Sequence, residues 1–203
     1  MVAIVDYGVG NLFSLSSSFA AIGEEAKIVT DASLLKEADR IILPGVGAFS
    51  DAIKKLRESG LCEPLLQEIH QGKPLLGICL GMQLLFEKSF EYGEHQGLGL
   101  LKGQVIPMAG LLPETLKIPH MGWNGLHLTQ PDGKLFANTK EGDYVYFVHS
   151  YFADKCEDSL AAQTEYGKML TAAVEKDNVF GCQFHPEKSG DVGLNILRAF
   201  CAV

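Results

Sequence analysis

The 203-residue sequence has no CxxC pair, no run of lysine and arginine, no internal repeat and no long apolar stretch. Each absence removes a class of protein. The five cysteines, at 62, 79, 156, 182 and 201, are odd in number, so they cannot close into a complete disulfide framework and reduced thiols are expected. Seventeen basic residues against 25 acidic ones leave a net charge of −8, which argues against nucleic acid or an anionic membrane as the main partner. Tight binding of a polyanionic substrate by this chain alone fits equally poorly. Met1-Val2-Ala3-Ile4-Val5-Asp6 has no basic region before its apolar run and reaches an aspartate too soon for a secretory leader or a membrane span. A cytosolic protein is expected.

What is present is ordinary in amount and specific in order. A hydrophobic share of 47% and a charged share of 21% suit one domain over residues 1–203, burying on the order of 70% of its unfolded surface. In the first half, strand-like runs at 2–6, 26–30, 40–43 and 75–78 alternate with helical patterns at 11–22, 49–58, 63–70 and 80–87. Such alternation predicts βα units and an α/β fold, with a mostly parallel sheet flanked by helices on both faces. The second half has strand-like pieces at 103–106, 124–128, 145–148, 160–164, 170–174 and 179–184, where hairpins dominate and make the sheet mixed. A last helix is predicted over 192–201.

Within Leu75-Leu76-Gly77-Ile78-Cys79-Leu80-Gly81-Met82-Gln83 an apolar strand meets a cysteine set between two glycines and continues into an apolar helix. That is the pattern of a nucleophile elbow, whose sharp corner needs small neighbours and aims the next backbone N–H at the nucleophile's space. Cys79 would thus be presented at the carboxyl end of a strand, where open α/β sheets bind ligands, with Leu80 N–H as an oxyanion donor. A free cysteine of pKa about 8.5 is only a few per cent thiolate at pH 7 and needs a base or a positive neighbour. Of the six histidines, His185 ends an apolar strand and is followed by Pro186 and Glu187. Residues i and i+2 of an extended chain project to one side, and Pro186 keeps His185 out of the helical region, so Glu187 can orient the imidazole. Cys79, His185 and Glu187 make a complete catalytic set.

A second oxyanion donor is expected from Pro44-Gly45-Val46-Gly47, which follows a strand directly. That loop and Gly8-Val9-Gly10 both fail the dinucleotide fingerprint, because Phe13 and Ser50 stand where the third glycine belongs, although Asp31 follows the second strand at a plausible distance. His120, His127 and His149 have no spacing that defends a zinc site.

With Gly77-Ile78-Cys79-Leu80-Gly81-Met82-Gln83 and Gly181-Cys182-Gln183-Phe184-His185-Pro186-Glu187, the chain resembles the class I (triad) glutamine amidotransferases over nearly its whole length. Pro119-His120-Met121-Gly122-Trp123-Asn124 and Tyr146-Phe147-Val148-His149-Ser150-Tyr151 are similar to the subfamily of glutaminase subunits of imidazole glycerol phosphate synthases, and Gly10-Asn11 and Pro44-Gly45-Val46-Gly47 fit the same group. The resemblance implies a flavodoxin-like sheet, no cofactor and no metal. It implies that Cys79 attacks the side-chain amide of L-glutamine to give a thioester and ammonia, with His185 moving protons. Val46 and Leu80 would supply oxyanion N–H groups, and Gln83, Glu91 and the backbone of His149, Ser150 and Tyr151 would hold the amino-acid end. Ammonia would pass to a (β/α)8-barrel cyclase, with Asn11, Trp123, Asn124, Tyr146 and Lys188 as candidates for the shared interface. Other readings remain open from the residues alone: the amidotransferase of another amination pathway, a protease-like or chaperone-like cysteine hydrolase, or a regulatory subunit with a silent triad.

Overall fold

The computed structural model describes residues 1–130 and 132–203. Its first half runs β1 (Val2–Val5), α1 (Leu12–Ala21), β2 (Ala26–Val29), α2 (Ala32–Glu37), β3 (Arg40–Leu43), α3 (Phe49–Glu58), α4 (Cys62–His70), β4 (Leu75–Ile78) and α5 (Leu80–Leu84). The second half runs β5 (Phe86–Ser89), β6 (His95–Gln96), β7 (Leu101–Pro107), β8 (His120–Gly125), β9 (His127–Leu128), β10 (Tyr144–His149), β11 (Tyr151–Asp154), β12 (Leu160–Glu165), β13 (Met169–Lys176), β14 (Val179–Cys182) and α6 (Gly190–Cys201). The main sheet has the order β2-β1-β3-β4-β14-β13-β12-β9. Its five strands from β2 to β14 are parallel and the remaining pairs antiparallel. The expected mixed, mostly parallel sheet is therefore present.

Alternate residues of a strand face opposite sides, and β1 uses both for packing. Val2 and Ile4 join Leu15, Phe19 and Phe200 in one apolar cluster. Ala3 and Val5 join Leu35, Phe49 and Leu56 in the other. All four β1 side chains are fully buried, which explains an apolar run without polar alternation.

In the second half β6 and β11 have no counterpart in the sequence pattern, and the strand expected over 124–128 is divided between β8 and β9. Two further differences concern the first half. The helix anticipated over 80–87 stops at Leu84, and Phe86–Ser89 is β5. The carbonyls of Leu84, Leu85, Phe86 and Glu87 accept from the N–H groups of Leu98, Leu100, Gly99 and Gly97, so they cannot continue the helical ladder. Gly97 permits that approach, since a Cβ there would fall 2.1 Å from the Phe86 carbonyl oxygen. The second difference is α2, which sequence periodicity did not mark. Its start is capped by Asp31, whose carboxylate accepts the Ser33 N–H at 2.6 Å.

Phe200 is fully buried and meets Phe180 edge to face at 5.8 Å. Phe200→Ala is expected to cost about 3–5 kcal/mol of stability, read as a lowered urea midpoint at unchanged denaturant slope.

Candidate active site

Between β4 and α5, Cys79 takes φ 55° and ψ −110°. A side chain in that region carries on the order of 1–3 kcal/mol of strain, so the surroundings must hold it there. The Cys79 N–H donates to the Cys182 carbonyl at 2.7 Å. The rest of the support is close packing of backbone. A Cβ on Gly77 would lie 2.7 Å from the Gly81 oxygen, one on Gly81 1.8 Å from the Leu43 oxygen, and one on Gly45 2.6 Å from the Gly81 nitrogen. Three glycines thus bring β4, α5 and the loop after β3 together with no side chain between them. The Leu80 N–H, in the first turn of α5, has no intrahelical acceptor. The Val46 N–H has no backbone or side-chain acceptor among the described residues.

His185 leaves β14 in an extended conformation. Its N–H donates to the Tyr146 carbonyl at 3.0 Å. Its Nδ1 meets Glu187 Oε1 at 2.8 Å, and the two side chains are 3% and 1% exposed. Ser189 braces the turn, donating its hydroxyl to the His185 carbonyl at 2.6 Å and accepting the Tyr146 N–H at 3.0 Å. Burial alone would lower the His185 pKa. Hydrogen bonding to Cys79 and Glu187, and the charge of both, outweigh burial and raise it from 6.5 to about 9. The ring is therefore cationic at neutral pH, which suits an anionic sulfur beside it. Cys182, by contrast, is fully buried and its pKa is driven well up by desolvation, as befits a packing residue.

Cys79 and His185 open on a cavity of about 550 Å³, lined also by Val46, Leu80, Gln83, Glu91, His149, Ser150 and Tyr151. The structure thus brings ten residues predicted for catalysis, oxyanion binding or substrate binding to one place, except that Glu187 stands behind His185. Gln83 donates to the Tyr151 carbonyl at 3.2 Å and to Gln183 Oε1 at 3.0 Å. Gln183, fully buried, in turn points its Nε2 at Cys79 Sγ, 3.8 Å away. Gln183 has no mark in the sequence pattern: the strand expected over 179–184 ends at Cys182, and Gln183 follows in a bend with its N–H donating to the Ala172 carbonyl at 2.8 Å. Glu91 accepts the Phe49 N–H at 2.5 Å; burial raises its pKa and that hydrogen bond opposes the rise.

A second network lies behind Tyr151. His149 Nδ1 faces the Tyr151 carbonyl at 2.8 Å, His149 Nε2 faces His120 Nδ1 at 3.0 Å, and His120 Nε2 faces Asn124 Oδ1 at 2.8 Å. Asn124 spends its amide N–H on the Glu165 carbonyl at 3.0 Å. The three ring contacts need three protons, whereas two neutral imidazoles carry two. Burial lowers the pKa of both rings, that of His149 to about 3. His127 is elsewhere, on the surface with Glu141 at 2.9 Å.

The remaining predicted residues sit outside the cavity. Trp123 is 51% exposed and meets Tyr146 edge to face at 6.0 Å. Tyr146 leads through Ser189 to the exposed Lys188, and α1, which Asn11 precedes, packs against the turn at 186–188. Asn124 takes part in the histidine network.

The model of the "Glutamine amidotransferase class-I" family matches residues 3–202. The chain belongs to this family. It is 52% identical over 201 residues to "Imidazole glycerol phosphate synthase subunit HisH" of Caldanaerobacter subterraneus, covering 98% of this chain and 97% of that one. The protein of the same name from Aquifex aeolicus is 49% identical over 199 residues, covering 97% and 94%. Among solved structures, "Crystal structure of glutamine amidotransferase" superposes with a TM-score of 0.76 at 21% identity, covering 99% of this chain and all of the other. "Structure of PurLQS from Thermotoga maritima" gives the same TM-score and identity over 99% and 97%. Both share the fold. As an amidotransferase, the chain is an enzyme built around glutamine.

The raised pKa of His185 sets a stability signature. A group whose folded pKa exceeds its unfolded value contributes fully below the unfolded pKa and loses that contribution as pH rises through the folded one. Stability tied to His185 is therefore complete below pH 6.5 and fades through about 9. Urea midpoints between pH 7 and pH 9.5 are expected to fall further in the wild type than in His185→Gln. At the elbow, Gly81→Ala is expected to destabilise the fold by about 1–3 kcal/mol and to slow iodoacetamide labelling of Cys79, read by mass spectrometry.

Proposed function

We propose that this chain is the glutaminase subunit of an imidazole glycerol phosphate synthase, hydrolysing L-glutamine and delivering ammonia to a (β/α)8-barrel cyclase for histidine biosynthesis. The observation that carries the reading is that Cys79 and His185 line one cavity while Glu187 holds the His185 ring by its Nδ1, in a chain near 50% identical over its full length to proteins named for that synthase.

In this reading glutamine places its side-chain amide over Cys79. Its amino-acid end lies toward Gln83, Glu91 and the His149–Tyr151 backbone, with the Glu91 carboxylate suited to an ammonium group. The Cys79 thiolate adds to the amide carbon, and the resulting oxyanion is met by the N–H groups of Leu80 and Val46; one such donor is worth about 100- to 1,000-fold in rate. His185 passes its proton to the departing nitrogen, which leaves as ammonia, and a thioester remains. Neutral His185 then takes a proton from water as the water attacks the thioester carbon. The second tetrahedral intermediate collapses to glutamate and free Cys79. Glu187 holds the ring by its Nδ1 and balances the imidazolium.

The ammonia acceptor belongs on another subunit. This chain's net charge of −8 offers poor ground for an anionic sugar phosphate. Asn11, Trp123, Asn124, Tyr146 and Lys188 form the proposed docking face. No helix among the described residues is long and apolar enough to cross a membrane, and the proposed site of action is the cytoplasm.

Co-purification with the cyclase, followed by glutamate release with and without the cyclase's nucleotide ligand, tests the assignment. Weak release by the chain alone and strong stimulation in the liganded complex are expected; full turnover without a partner would count against it. Cys79→Ala is expected to abolish glutamine-dependent product while added ammonia still supports the cyclase.

A further inference from the structure

The loop bearing Val46 is held at its two ends by side chains that come from outside it. At the near end, the Tyr7 hydroxyl donates to the Pro44 carbonyl at 2.6 Å. Tyr7 follows β1 and is 4% exposed. Pro44 is buried, and no backbone N–H among the described residues serves its carbonyl. The phenol therefore satisfies an acceptor that would otherwise be orphaned. Burial and the nearby Cys79 both raise the Tyr7 pKa, so the hydroxyl stays a donor across the working range. At the far end, the Phe49 N–H opens α3, where an exposed cap residue would ordinarily be serine, threonine, aspartate or asparagine. Here the cap is Ala48, which offers no side-chain acceptor. Glu91, from beyond β5, supplies the missing oxygen at 2.5 Å.

Between these points the loop has little to hold it. Val46 is 43% exposed, and Gly47 has φ +97° with nothing within 4 Å of where a Cβ would be. Gly45 is pressed against Gly81, which fixes its position but leaves its ψ free of any side-chain constraint. The direction of the Val46 N–H is thus governed by where the ends are tied.

We propose that Tyr7 is a positioning residue for glutamine hydrolysis, acting with Glu91 as a two-point clamp that aims the Val46 N–H at the oxyanion. The proposal rests on Val46 serving as an oxyanion donor, as set out above. It gives Glu91 two duties: one carboxylate oxygen caps α3, and the other faces the cavity for the substrate's ammonium. It gives Tyr7 no contact with substrate at all, so its effect must be felt in turnover.

The test uses the complex with the cyclase carrying its nucleotide ligand. Tyr7→Phe keeps the ring and removes the donor. Its kcat is expected to fall roughly 10- to 100-fold, part of the 100- to 1,000-fold that loss of an oxyanion donor costs. KM for glutamine should stay within about twofold, and so should the rate of Cys79 alkylation by iodoacetamide, a displacement at saturated carbon that develops no oxyanion. A kcat within twofold of wild type, or a parallel fall in kcat and alkylation, would overturn the role. An independent arm compares Glu91→Gln, which keeps an oxygen for the Phe49 N–H, with Glu91→Ala, which does not. At saturating glutamine the Gln variant should turn over at least about tenfold faster than the Ala variant; equal values would remove the far half of the clamp. If Tyr7→Phe does not fold, equal values in this arm still overturn the two-point clamp, and a tenfold gap supports it. Should the wild-type complex release no glutamate from glutamine, the functional assignment itself fails, a result distinct from any of these.

Discussion

Cys79 stands in a backbone conformation that a short peptide would leave at once, and the approach of Gly45, Gly77 and Gly81 within touching distance of one another's backbones keeps it there. The rest of the site takes its coordinates from that corner. β4 pairs with β14, which brings Cys182 to receive the Cys79 N–H and carries Gln183 and His185 out beside the sulfur. β3 pairs with β4 on the other side, which delivers the Val46 loop. A nucleophile, its acid and a loop of donors converge because three adjacent parallel strands end at one edge.

Charge is arranged with the same economy. The His185 cation lies between Cys79 and Glu187 in a nearly dry setting, where ion pairing outweighs the cost of burial. The other carboxylate of the site, Glu91, is oppositely placed: burial works against its charge, while the Phe49 N–H at the start of α3 supports it.

The parallel half of the fold was legible because its strands are short, mostly apolar runs separated by helical patterns. The elbow was legible from its glycines, and His185 with Glu187 from the proline between them, although Pro186–Lys188 is a 3-10 turn and not the extended chain on which the strand spacing relied. The segment after Leu84 was not. Leu84-Leu85-Phe86 is apolar enough for either a helix or a strand, and the choice is made by Gly97 to Leu100, whose N–H groups claim its carbonyls from more than ten residues away. The antiparallel strands β7, β10, β12 and β13 fall on the strand-like runs, but their pairing was not legible: setting His120 against His149 requires the register of β8 on β10. Glu91 as the cap of α3 is a contact across 42 positions, and nothing local announces it. Gln183 was not legible either, because it lies in a bend past the end of β14, where strand alternation gives no direction.

The histidine pair behind the cavity leads somewhere different. With one proton on each ring, the three contacts reaching from Tyr151 to Asn124 can be filled only two at a time, and the unfilled one can sit at either end or in the middle. Each arrangement uses the same heavy-atom positions. The network therefore admits three proton arrangements that differ only in which contact is left without a hydrogen. The wall of the cavity at Tyr151 and the outer strand at Asn124 share that single defect, so filling the contact at one end confines the defect to the rest.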